Sequence, residues 1–391
     1  MLNGIDSSKP LKILHLITDL DMGGAEKMLY NLLSKTNRQR FKPIVLSLID
    51  RGIWGDQISA LDIPVHTLAM ESSKPTLAAI WRLFHLVHQL QPDLIQGWMY
   101  HGNLAAQLTK ISHLKSVPII WNIRHSIYSL NYEKPSTAAI IKLLASLSNF
   151  STKIIYNSNI SASQHKDLGY KESKTQVIPN GFDTQIFMPS IKSRMEVRKE
   201  LGLAENTFLI GRISRYHAMK DFANFLRAGA FLLKENPDVH FLLAGSEVSW
   251  ENQNLTHIIN ELKIADHVHL LGERQDIPHL TAALDIASTS SYFGEAFPNV
   301  IGEAMSCGVP CAVTDVGDSA FIVGNTGKVL PPKDSQALAN AWQELIDMGI
   351  EGRRSLGKAA RERIINYFSL NFVVNKYEKL YESILTKQSN Y

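Results

Sequence analysis

Tyr292-Phe293-Gly294-Glu295-Ala296-Phe297-Pro298-Asn299-Val300-Ile301-Gly302-Glu303-Ala304-Met305-Ser306-Cys307-Gly308-Val309-Pro310 sets two carboxylates around the start of one helix. Pro298 suits a first helical turn, where its missing N–H costs nothing, and Gly308 followed by Pro310 stops the helix, so the spacing predicts a short helix over 298–307. Glu295 then lies in the loop ahead of it and Glu303 well inside it. Both can face one cleft while the first-turn amides point into it. A helix start of this kind favours a negatively charged ligand.

Outward from this stretch, short β-branched runs alternate with longer helical patterns, which predicts an α/β fold with parallel sheets built from βα units. Candidate strands are 12–17, 42–48, 93–98, 118–123, 153–157 and 176–179, then a second series at 208–212, 240–244, 268–271, 285–288 and 311–314. Two series divided near 185–205 predict two Rossmann-like domains facing each other across a cleft. A chain of 391 residues with 45% hydrophobic content is long enough to fill two cores. Residues 371–385 carry Val373, Val374, Tyr377, Leu380, Tyr381 and Ile384 on one helical face.

No apolar run approaches the ~18 residues of a membrane span, and the first residues lack the plan of a signal peptide, so a cytoplasmic protein is expected. Cys307 and Cys311 stand without further thiols, which supports neither a disulfide framework nor a zinc site and predicts two small buried apolar residues. Net charge is only +3, but residues 1–180 hold 19 Lys/Arg against 12 Asp/Glu while the remainder holds 21 against 25. A basic first half suits an anionic acceptor or membrane surface, or simply solvated lysines on surface helices. No dense basic cluster appears, and no nucleic-acid partner is expected.

The spacing from Glu295 to Glu303, with Phe-Pro-Asn-Val between and Glu-Ala-Met-Ser-Cys-Gly-Val-Pro following, resembles the signature of the retaining GT-B glycosyltransferases of glycosyltransferase family 4. The resemblance implies that Glu295 touches donor-sugar hydroxyls, that Glu303 takes the nucleotide ribose, and that the backbone of Phe297, Pro298, Asn299 and Val300 meets the diphosphate. Ala296 departs from the pattern, since many members carry Gly there. It further implies an N-terminal acceptor-binding domain over 1–187, a donor domain over 188–369, and a last helix within 370–391 that crosses back onto the first domain.

Other segments extend the likeness. Strand, glycine turn and helix start follow one another through Thr18-Asp19-Leu20-Asp21-Met22-Gly23-Gly24-Ala25-Glu26. By itself the Gly23–Gly24 pair fits either a conformational turn or a close approach of backbone to phosphate or hydroxyl. Gly-Gly-Ala-Glu resembles the first loop of the family, which implies the second reading. Arg215 and Lys220 flank Tyr216-His217-Ala218-Met219 and resemble the family's Arg-x4-Lys diphosphate grip; two fixed cations would stabilise the charge gained by a departing diphosphate. A surface Arg/Lys pair is the plain alternative. His101 follows a strand end, where it reads as a structural histidine or, by the resemblance, as a group beside the transferred sugar.

Asn122 and Arg124, with His125, line an acceptor side or serve as structural caps. Leu271, Gly272 and Arg274 resemble the loop whose backbone reads the nucleotide base, with Gly245 bordering the same pocket, although simple βα turns fit both. Residues 178–183 resemble the family's domain junction, and their turn chemistry suits a hinge.

The expected activity is transfer of a sugar from a nucleoside diphosphate sugar to a hydroxyl acceptor with the anomeric configuration kept, without metal or other cofactor. A lipid-linked or surface polysaccharide precursor is the implied acceptor. The apolar helices near 77–87 and 138–147 either pack in a core or touch the cytoplasmic membrane face. A GT-B phosphorylase or epimerase, and a binding protein without turnover, are the competing readings.

Overall fold

A computed structural model describes residues 9–388 apart from 22, 72–75 and 112–116. The chain divides into two compact units, Met1–Gly181 with Leu370–Tyr391, and Phe182–Ser369. The division falls at 181 rather than at 187, because residues 182–187 send Phe182 and Phe187 into the core of the second unit. Residues 389–391 of the expected last helix lie outside the described residues.

The first unit is a seven-stranded parallel sheet of β1 (Leu11–Ile17), β2 (Phe41–Ser47), β3 (Val65–Thr67), β4 (Leu94–Trp98), β5 (Ile119–Ile123), β6 (Lys153–Tyr156) and β7 (Thr175–Val177), in the order β3-β2-β1-β4-β5-β6-β7. The second holds β8 (Phe208–Ile213), β9 (Val239–Ala244), β10 (Val268–Leu270), β11 (Ile286–Thr289), β12 (Cys311–Thr314) and β13 (Lys328–Leu330), in the order β10-β9-β8-β11-β12-β13. Both sheets reverse direction of winding once, between β1 and β4 and between β8 and β11. Doubly wound sheets bind ligands beyond the carboxyl ends of the strands at that reversal.

Strands buried on both faces explain the near-continuous apolar runs seen in the sequence. In the first unit Leu14, Leu16 and Ile95 pack beneath the helices Leu77–Leu90, Met99–Leu108 and Pro135–Leu147. On the opposite face Ile13, Ile17 and Trp98 meet the helices Gly24–Lys35 and Leu370–Gln388, the latter through Val373, Val374, Tyr377 and Tyr381. That last helix is also tied by polar contacts: Tyr381 donates to Gln96 Oε1 at 2.7 Å and the Asn37 amide donates to Glu378 Oε1 at 2.7 Å. Burial pushes the Cys307 and Cys311 thiols up to about 12, so both behave as small buried apolar groups.

Two buried histidines of the first unit make its stability depend on acid. Burial lowers His15 to about 3 and His165 to about 4, from an ordinary value near 6.5. The unfolded chain therefore binds protons below about pH 6.5 that the folded unit refuses, so stability is complete above that value and falls as pH drops toward 4. Each histidine contributes about 1.4 kcal/mol of loss per pH unit in that window. Urea unfolding of the first unit at pH 7.5 and 5.5 is expected to show a midpoint drop that His165→Gln reduces; equal midpoints would refute it.

Candidate active site

In the second unit the winding reversal places two loops side by side. The chain leaving β8 forms a single 3-10 turn, Ala218–Lys220, and the chain leaving β11 forms the loop 290–298 that leads into the helix Asn299–Ser306. They are stitched together by the Tyr292 amide, which donates to Met219 O at 3.0 Å. Lys220 Nζ consequently meets Glu295 Oε1 at 2.5 Å, with the two side chains only 17% and 12% exposed. Ser291 donates to the same carboxylate oxygen at 2.8 Å. The structure thus brings Lys220 and Glu295 together as one half-buried ion pair.

Three groups fix that pair from below. Arg212, at the end of β8, is 2% exposed and donates to Ser290 Oγ and to the Lys220 carbonyl. Its guanidinium lies 4.4 Å from the centre of the Phe222 ring. Burial pulls Arg212 down to about 9, opposed by Glu295 and Asp221, so it stays cationic at neutral pH. Ser290 donates onward to the carbonyls of Lys220 and Asp221. Gly317 sits in the left-handed region at φ +63°, where a Cβ would come 2.5 Å from the Glu295 carbonyl, so only glycine fits against that loop.

The helix Asn299–Ser306 begins at Pro298 without a side-chain cap, which leaves its start suited to an anion. Phe297 is buried against Phe182 and Phe368, and Val300 is half-buried. Ala296 lies outside the left-handed region, so the departure from glycine costs no backbone strain. Glu303 is 8% exposed and lines a small void of about 20 Å³ with Gly211, Ile213, Ser288 and Thr289, large enough for about one water. Gly245 and Gly272 join two neighbouring loops through an amide-to-carbonyl bond of 2.8 Å, and the Leu271 amide donates to Leu243 O at 2.9 Å.

Arg215 and Arg274 take no part in these contacts. Arg215 is exposed, and its side chain makes no hydrogen bond or ion pair with the described residues. The buried cation beside Glu295 is Arg212, because a residue at the end of β8 lies beneath the turn that Lys220 closes, whereas Arg215 is already past the strand. Arg274 is turned to Glu200 at 2.5 Å and Asp276 at 2.8 Å, and hydrogen bonds to both raise its pKa further. Its guanidinium is held by these carboxylates.

In the first unit the reversal brings the Gly23–Gly24 turn after β1 beside the helix start after β4. Met99, in the left-handed region at φ +58°, turns the chain from strand to helix, and His101 follows within the first helical turn, half-buried. Strain of this kind is stored at functional sites. Gly102 lies so close to β1 that a Cβ would come 2.5 Å from the Leu16 carbonyl, which holds the His101 turn against the sheet. Burial lowers the His101 imidazole, with Asp19 pulling the other way. At Gly23 and Gly24 the helix start is already occupied: the Glu26 carboxylate folds back over Gly23 and accepts its own amide and that of Ala25, while burial, Asp19 and Asp21 raise its pKa.

Asn122 and Arg124 are tied to the last helix. Asn122 Nδ2 and Arg124 Nη1 both donate to Tyr377 Oη, at 3.0 and 3.1 Å, and Arg124 also donates to Asn180. These bonds anchor the last helix.

The comparisons with known proteins agree with this architecture. The family model described as Glycosyltransferase Family 4 matches residues 22–186, and that described as Glycosyl transferases group 1 matches residues 193–363. An Escherichia coli UDP-Gal:alpha-D-GlcNAc-diphosphoundecaprenol alpha-1,3-galactosyltransferase is 26% identical over 76% of this chain and 77% of its own length. A Bacillus anthracis N-acetyl-alpha-D-glucosaminyl L-malate synthase is 25% identical over 86% of this chain and 84% of its own. Anabaena HepE, solved with UDP, superposes with a TM-score of 0.81 at 25% identity, covering 95% of this chain and all of that one; a second structure of it holds UDP-glucose. With both halves matched in order by these two family models, the chain belongs to the GT-B glycosyltransferases of family 4 and is itself a glycosyltransferase.

Proposed function

We propose that this glycosyltransferase moves a sugar from a nucleoside diphosphate sugar to a hydroxyl acceptor with retention of configuration, needing no metal for the chemistry. The observation that carries the reading is the ion pair of Lys220 and Glu295, half-buried at an uncapped helix start. An entering diphosphate exchanges one anionic partner of Lys220 for another and frees the Glu295 carboxylate to accept hydroxyls of the sugar. As the bond from the anomeric carbon to the phosphate oxygen breaks, that oxygen gains charge, and Lys220 and the first helical amides stabilise it. The acceptor oxygen bonds to the same face of the anomeric carbon and its proton passes to the departing phosphate. His101 orients donor hydroxyls.

The acceptor we favour is a lipid-linked or surface polysaccharide precursor, as in the E. coli relative, met at the cytoplasmic membrane face. Among the described residues no helix is long and apolar enough to cross a membrane. Leu77, Trp81, Tyr128 and Tyr132 are 64–87% exposed on or beside the apolar helices of the first unit, and aromatic side chains of this kind favour the membrane interface. An unchanged soluble fraction on adding anionic vesicles at low salt would remove this part of the proposal.

Thermal-shift screening with UDP-, GDP- and ADP-sugars identifies the donor, and a radiolabelled donor then tests the reaction with EDTA present. Transfer to an added hydroxyl acceptor with retained configuration supports the proposal. Epimer formation, phosphorolysis, or binding without conversion would replace it.

A further inference from the structure

We propose that His240 and His269, with His267 beside them, form a binding site for a divalent transition-metal ion such as Zn²⁺ or Ni²⁺ at the edge of the second unit's sheet. The site lies at the amino ends of β9 and β10, whereas Lys220 and Glu295 follow the carboxyl ends of β8 and β11. Val239, Phe241 and Leu243 of β9 and Val268 and Leu270 of β10 enter one core, so the alternating residues His240 and His269 share the other face.

There His240 Nδ1 stands 3.0 Å from His269 Nε2, with ring centres 5.2 Å apart. Two nitrogens bound to one ion at about 2.0–2.1 Å lie roughly 3–3.4 Å from each other in square-planar or tetrahedral geometry. The pair is therefore already at ligand spacing. The two nitrogens share one hydrogen bond; on metal binding the ring that carries the shared proton passes it to its own other nitrogen, which frees both lone pairs and releases no proton.

His267 is suited to add a third nitrogen. Its ring centre lies 5.2 Å from that of His240, and its Nδ1 is 3.1 Å from the Val239 carbonyl, to which it must donate. That bond fixes the tautomer with Nε2 unprotonated, the arrangement found in metal-bound histidines held by a backbone carbonyl. His240 and His267 line an open groove edged also by Glu235, Asp238 and Asp266, whose negative charge concentrates cations there. Among the described residues no three such side chains already surround one point, so His267 or a carboxylate completes the shell by rotating once the ion sits on the pair. Bound metal would clamp the short edge strand β10 to β9.

The test uses untagged full-length protein, stripped with EDTA and titrated with Zn²⁺ and with Ni²⁺ at pH 7.5. Expected are uptake of one ion per chain and a rise in Tm of about 5 °C at saturation. His240→Gln and His269→Gln should each weaken binding by at least about tenfold and remove the rise, and His267→Gln should weaken it less. X-ray absorption on the zinc-loaded wild type, which needs no variant to fold, should find two or three imidazole nitrogens near 2.0 Å. No uptake by the wild type, uptake unaltered in both the 240 and 269 variants, or an oxygen-only shell would overturn the proposal. None of these readouts uses sugar transfer, so they stand or fall apart from the proposed reaction.

Discussion

Lys220→Ala is expected to slow sugar transfer by about ten- to a hundredfold, because one charge-assisted bond to a departing diphosphate contributes about 1.5–3 kcal/mol and each 1.4 kcal/mol is a factor of ten in rate. Its ammonium is bound to Glu295 at 2.5 Å. Removing it should cost only part of what an unpaired buried charge costs, a Tm drop of a few degrees, since Ser291 still donates to the carboxylate and Arg212 still faces it with positive charge. Glu295→Gln probes the other partner: the amide still reaches Lys220, but loses the charge that holds hydroxyls as positive charge grows at the anomeric carbon. The double variant Lys220→Ala/Glu295→Gln should be little slower than the slower single one, as expected for groups that act together. A Lys220→Ala enzyme with wild-type turnover would show the pair to be a structural salt bridge.

What the sequence revealed of this arrangement follows from how its signals are carried. Strands such as β1 and β9 are legible because each gathers four or five buried apolar residues around a single histidine, and the helix Asn299–Ser306 because Pro298 and Gly308 mark both ends. The edge strands β3 and β13, Val-His-Thr and Lys-Val-Leu, escaped notice: three residues of mixed polarity carry neither alternation nor an apolar run. Lys220 and Glu295 stand far apart in sequence, and only the winding reversal between β8 and β11 makes them neighbours. Arg215 stands out by its spacing to Lys220, while Arg212 reads as an ordinary strand residue. The informative sign was a lone arginine inside Leu-Ile-Gly-Arg-Ile, since a cation in a buried strand needs partners. Asn122 and Arg124 were open between two roles because their partner, Tyr377, lies on a helix some 250 positions later.

Arg212 carries the second large effect. Its guanidinium donates to Ser290 and the Lys220 carbonyl while stacking on Phe222, so it joins the turn presenting Lys220 to the loop presenting Glu295. Arg212→Ala removes the stacking surface and both bonds from a site 2% exposed to solvent. A loss of about 3 kcal/mol follows, which in a unit of this size lowers Tm by about 6–12 °C. Arg212→Met separates packing from charge. Methionine refills much of the volume, and Ser290 still donates to the Lys220 and Asp221 carbonyls, so less than half of the stability should be lost. Transfer should nevertheless slow by about tenfold or more, because the positive charge facing Glu295 is gone and the Lys220 turn is no longer pinned. Scanning calorimetry and initial rates on the two variants decide between the roles. If Arg212→Met keeps the wild-type rate, Arg212 is a packing residue alone; if it is stable and slow, the buried cation positions the Lys220–Glu295 pair for the reaction.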